Sequence, residues 1–140
     1  MEFDDVIRQR RSVRRFSEQR PDPAVVDHVI DQARRAPTAG FSQGVDFVVL
    51  DDPAALAEFW ALVEDPAYPS EDEERATLPP LLVLVWSDPM RYVERYSAPD
   101  KIEFGMDDPE AWPVRFWDVD AGMASMQLQL AAVNAGLDTW

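Results

Sequence analysis

The chain has 140 residues, with 13 Lys/Arg against 27 Asp/Glu for a formal net charge of −14, and 46% of its residues are hydrophobic. That length suits a single domain, residues 1–140, with a real core, and the composition excludes a disordered chain. The absence of cysteine excludes disulfides and thiolate metal sites, while the acidity sets most of the surface against nucleic acid and anionic membrane.

Phe3, Val6, Ile7 and Arg10 fall at i, i+3, i+4 and i+7, which predicts a short amphipathic helix over 2–11. Its early acids and late arginines suit the helix dipole. Residues 12–16 read as extended or looped. Asp22-Pro23 opens a second helix whose apolar stripe runs through Val25, Val26, Val29, Ile30 and Ala33, and Pro37 ends it. APTAGFSQG at 36–44 is a loop of small and polar residues. A strand follows over 45–50, then a helix from Asp52-Pro53 to Val63 and an acidic connection over 64–75. Leu81 to Trp86 is a continuous apolar run, the mark of a buried strand, and Ser87-Asp88-Pro89 starts a helix ending at Tyr96. Residues 97–116 are irregular, and their Phe104, Trp112 and Phe116, with the adjoining Trp117, are candidates for an aromatic lid. Asp118 to Ala135 is the longest predicted helix, closed by Gly136, and residues 137–140 read as the start of a strand. Met123, Met126 and Leu130 are its expected core residues, with Asp118 and Asp120 read as caps. These elements imply an α/β or α+β layer architecture.

Charge is unevenly placed. Residues 1–40 hold eight Arg against seven acids, and RQRRSVRRF at 8–16 alone carries five of those arginines. Two readings are open: a solvated basic face that pairs with the chain's carboxylates, or a turn that aims planar forks and the Ser12 hydroxyl at one phosphate. In PTAGFSQG, small residues permit close backbone approach to a flat ligand, and Gln43 can donate and accept at a ring edge; a plain connector is the alternative. The lone His28 lies on the second helix and is assigned no catalytic role, and no acid–base or nucleophile constellation is evident.

Taken together, RRSVRRF, APTAGFSQG leading into VDFVVL, and DAGMASMQLQLAAVNAGLDTW resemble the FMN-dependent nitroreductase family, whose motifs they follow in order from Arg10 to Trp140. The resemblance implies an α+β fold with a central antiparallel sheet flanked by helices, the sheet incomplete in this chain, and a long central helix at a homodimer interface. It implies FMN as cofactor, with Arg10, Arg11, Ser12 and Arg14 at its phosphate and ribityl chain. Pro37, Thr38 and Ala39 would face the isoalloxazine from the opposite subunit, and Gln43 would lie near it. Ala121, Gly122, Ala124 and Ser125 would let the central helices approach closely. The implied activity is ping-pong transfer of reducing equivalents from NAD(P)H to a small organic acceptor such as a nitroaromatic or quinone, in a cytoplasmic protein. Gln43-Gly44-Val45 departs from the family's Gln-Pro-Trp, and family members continue beyond the position of Trp140. The sequence therefore reads as C-terminally shortened, which makes a flavin-binding or dimerisation module without turnover the alternative; a basic arm recruiting an anionic protein is a third.

Overall fold

The computed structural model describes residues 1–63 and 78–140, so most of the acidic connection, with Glu71, Asp72, Glu73 and Glu74, lies outside the described residues. The elements run α1 (Phe3–Gln9), α2 (Pro23–Ala33), β1 (Val45–Leu50), α3 (Pro53–Val63), β2 (Leu82–Ser87), α4 (Pro89–Tyr96) and α5 (Phe116–Asn134). β1 and β2 pair antiparallel from Val45↔Ser87 to Leu50↔Leu82. The fold is α+β, with helices against a two-stranded antiparallel sheet.

The acidic caps form as their chemistry dictates. Asp22 accepts from the Ala24 amide at 2.8 Å and Asp88 from the Met90 amide at 2.9 Å, each followed by proline at the first helical position. Asp52 takes the amides of Ala54 and Ala55, both at 3.0 Å. At the far end of α5, Gly136 adopts φ +80°, and the amides of Gly136 and Leu137 return to the carbonyls of Val133 and Ala132. This is a Schellman close, which requires a left-handed residue at that position.

α5 is the spine. α1, α2, both strands and the turn at Ala39–Phe41 all pack on it. Val26, Val29 and Ala33 of α2 are buried, as are Ala124, Ala132 and Val133 of α5, and Gln127 Nε2 donates to the Gln32 carbonyl at 2.6 Å. The helix begins at Phe116 rather than Asp118 because Trp117 is buried in its first turn, 5.7 Å from the Trp112 ring and 6.0 Å from Tyr92. Aromatic burial here outweighs the cap preference of an aspartate.

Three expectations change. Trp112 and Trp117 are core residues rather than a lid: both are buried around Tyr92, and Trp112 Nε1 donates to the Met106 carbonyl at 2.9 Å. Met123 and Met126 are exposed rather than buried. Of the small residues expected to line a helix pairing, Ala124 is buried within its own chain, whereas Gly122 is open to solvent.

Candidate functional site

The arginine segment leaves α1 and runs beside the C-terminal end of α5. Arg10 Nη1 reaches Gln129 Oε1 at a long 3.4 Å, and the Val13 amide donates to the Thr139 carbonyl at 2.8 Å, pairing Ser12 with Thr139 in a single parallel bridge. The expected strand at 137–140 thus appears as one bridge, and its partner is the segment after α1. Arg8 turns back to Asp5 at 2.5 Å, the surface pairing that a solvated face would show. Arg11, Ser12 and Arg14 are exposed, and among the described residues neither Arg11 nor Arg14 makes an ion pair. Two guanidiniums that no described carboxylate neutralises suit a phosphate-sized anion.

The second segment, residues 37–44, lies at the other end of α5. Its inner side is tied at every turn. The Ala39 amide donates to Asp120 Oδ2 at 2.8 Å, and the Gln43 amide to Thr38 Oγ1 at 2.9 Å. Ser42 Oγ donates to the Ala39 carbonyl at 2.6 Å. α4 supplies the remaining anchors, because Arg91 and Arg95, like Tyr92 and Tyr96, recur at i, i+4 and so share a face. Arg95 Nε donates to the Gly40 carbonyl at 2.9 Å and Arg91 Nη1 to that of Gln43 at 3.0 Å. The tyrosines press on the glycines: a Cβ at Gly44 would fall 2.3 Å from Tyr92 Cε2, and one at Gly40 would fall 2.6 Å from Tyr96 Cε2. Only glycine fits at either place.

Asp120 joins these parts. Its carboxylate is 1% exposed and accepts both the Ala39 amide and the Tyr92 hydroxyl, the latter at 2.9 Å. Burial, reinforced by that bond to Asp120, pushes the Tyr92 phenol well above its ordinary range. The reading of Asp120 as a cap is therefore corrected: it is a buried acceptor in mid-structure. Sequence reasoning also passed over Tyr92, Arg91 and Arg95. A signal existed for Asp120, the sole charged residue between Val119 and Asn134, because an isolated carboxylate on an apolar helix has to find donors.

The loop and the arginines do not meet. Their anchors on α5, Asp120 and Gln129, are about 13 Å apart along the helix axis. A cavity of about 520 Å³ lies beside the loop and is lined by Thr38, Phe41, Gln43, Arg34 and Arg35, with Pro37 at its edge. A second, open groove of about 760 Å³ runs between α1, α2 and α5, past Phe3, His28, Met123 and Met126, and also reaches Pro37. Neither is lined by Arg10, Arg11, Ser12 or Arg14.

A model of the nitroreductase family matches residues 7–140. The chain belongs to the nitroreductase family. Solved structures agree on the fold. A nitroreductase family protein from Streptococcus pneumoniae TIGR4 is 19% identical with a TM-score of 0.66, covering 96% of this chain and 73% of its own. CLA-ER, an enone reductase of gut-bacterial fatty acid saturation, is 24% identical at 0.68, covering 98% and 72%. A protein from Exiguobacterium sibiricum 255-15, described as a nitroreductase and solved in complex with FMN, is 21% identical at 0.70, covering 99% and 72%. No curated protein matches the chain. Membership supports a flavin oxidoreductase, and no described helix is long and apolar enough to cross a membrane.

Proposed function

We propose that residues 1–140 form one domain of an FMN-dependent oxidoreductase that works as a homodimer, each flavin site taking its arginines from one protomer and its loop from the other. What supports this reading is that the two segments are anchored apart along α5, at Gln129 and Asp120, and line no common cavity. Arg10, Arg11, Ser12 and Arg14 would hold the phosphate and ribityl chain through charge-assisted bonds. Pro37, Thr38, Ala39 and Gln43 of the partner would bear on the ring. Exposed Val119, Gly122, Met123 and Met126 recur at i, i+3, i+4 and i+7, an apolar stripe on α5 that the described residues leave open to solvent. A second α5 would cover it.

FMN, when bound, would supply the redox chemistry for ping-pong transfer of reducing equivalents from NAD(P)H to a small organic acceptor. The protein's part is to orient the ring and to shape the acceptor's place, so no side-chain nucleophile is called for. Nitroaromatics and quinones are the acceptors to test first, and the enone reductase among the structural neighbours adds activated alkenes.

The purified protein's visible spectrum tests this reading. Flavin absorbance that bleaches on adding NADH or NADPH is the expected result. A yellow protein that neither nicotinamide bleaches would mark a binding module without turnover. A colourless protein that takes up no added FMN would contradict the flavin reading altogether.

A further inference from the structure

The loop's backbone is unusual at two side-chain-bearing residues. Phe41 has φ +60° and Gln43 has φ +51°. That left-handed region is unfavourable for any residue with a Cβ, and more so for a bulky aromatic. Among the described residues no packing compensates at Phe41, which is 75% exposed, and Gln43 is exposed as well. Such a shape persists only where the surroundings over-determine it. Here they act from one side: Asp120 takes the Ala39 amide, Arg95 and Arg91 take the Gly40 and Gln43 carbonyls, and the two tyrosines press on the glycines. All the restraint falls on the backbone, and both strained residues keep their side chains outside.

We propose that Asp120 is a positioning residue which, together with Tyr92, holds the loop over Thr38–Gly44 in this strained form and so keeps Phe41 and Gln43 turned toward the ligand. A buried carboxylate is costly unless donors meet it, and an apolar side chain would serve mere packing at least as well. Of the two donors it receives, one is the loop's own backbone and the other comes from α4, so Asp120 fastens the loop to two helices at once. The assignment of the ligand as FMN or its acceptor rests on the preceding reading; the loop's shape does not.

Hydrogen exchange of the FMN-free protein, followed on peptides covering 37–44, tests it in three variants. Asp120→Leu removes the acceptor and is expected to speed loop exchange about tenfold while α2 keeps its protection. Asp120→Asn retains an oxygen able to accept both bonds and is expected to stay near wild type. Tyr92→Phe removes one donor and should fall between them. FMN titrations should then show affinity weakening in step with loop exchange, restored in Asp120→Asn. A wild type that binds no FMN, while Asp120→Leu still frees the loop, would refute the flavin reading and leave the positioning role standing. Unchanged loop exchange in a folded Asp120→Leu, or acceleration spread equally through the chain, would overturn the proposal. Should Asp120→Leu not fold, Tyr92→Phe decides by the same criterion.

Discussion

The loop at 37–44 and the arginine segment at 8–16 lie against opposite ends of α5, and the chain treats them differently. The loop is finished from within: its backbone is held by Asp120, Arg91 and Arg95, and its glycines are fitted to tyrosine rings. In the arginine segment the Val13 amide donates to the Thr139 carbonyl and Arg10 reaches Gln129 through one long side-chain bond, while Arg11 and Arg14 stand exposed. Preorganised and open elements do different work in binding. A rigid platform sets the geometry at little ordering cost, whereas unneutralised guanidiniums acquire their order when an anion arrives.

The largest effect on binding is expected at the arginines. Replacing Arg10 and Arg14 together by Ala should weaken FMN binding by about 4 kcal/mol, since each charge-assisted bond carries roughly half of that. Thermal unfolding of the FMN-free protein should barely move, and Arg8→Ala, which breaks only an exposed pair, should leave both quantities near wild type. The loop should answer in the opposite way. Gly44→Ala drives a methyl into the buried Tyr92 ring and should cost about 2 kcal/mol of stability, read from a denaturant midpoint with no ligand present.

Phe41→Asn relieves the loop's backbone strain. Asparagine tolerates the left-handed region, so the variant should gain about 1 kcal/mol of stability. It should also bind its ring ligand less tightly, a trade-off that an idle surface loop would not show. The smallest effect concerns pH. The folded protein resists ionising Tyr92, while in the unfolded chain the phenol ionises near its ordinary value of 10.0. The stability this group contributes is complete below that value and is lost as pH climbs above it. Urea midpoints should therefore fall more steeply above pH 10 in wild type than in Tyr92→Phe.

Much of the fold was legible because its signals are local. Proline after aspartate marks the starts of α2, α3 and α4, the apolar runs mark β1 and β2, and Gly136 marks the end of α5. The arginine motif was equally legible, since guanidiniums clustered in an acidic chain stand out without any knowledge of packing. The support of the loop was not. Asp120, Tyr92 and Ala39 are brought together across 81 and 28 residues of sequence, and nothing local ties an aspartate in the second turn of α5 to a distant amide. Aromatics misled for the same reason: Trp112 and Trp117 look like lid residues until both are packed on Tyr92 and on each other. Met123 and Met126 misled in the other direction, because an apolar stripe on a helix does not say whether its own chain or another covers it.

A site that draws on two protomers can be rebuilt by subunit mixing. One variant carries Arg10→Ala and Arg14→Ala, the other Asp120→Leu, with Tyr92→Phe in reserve; each alone should bind FMN weakly. Unfolding and refolding the two together should create mixed dimers in which one site joins intact arginines to an intact loop. Flavin titration should then recover about a quarter of the wild-type tight sites, as random pairing in a twofold dimer requires. No recovery, from a mixture shown to exchange subunits, would contradict the account.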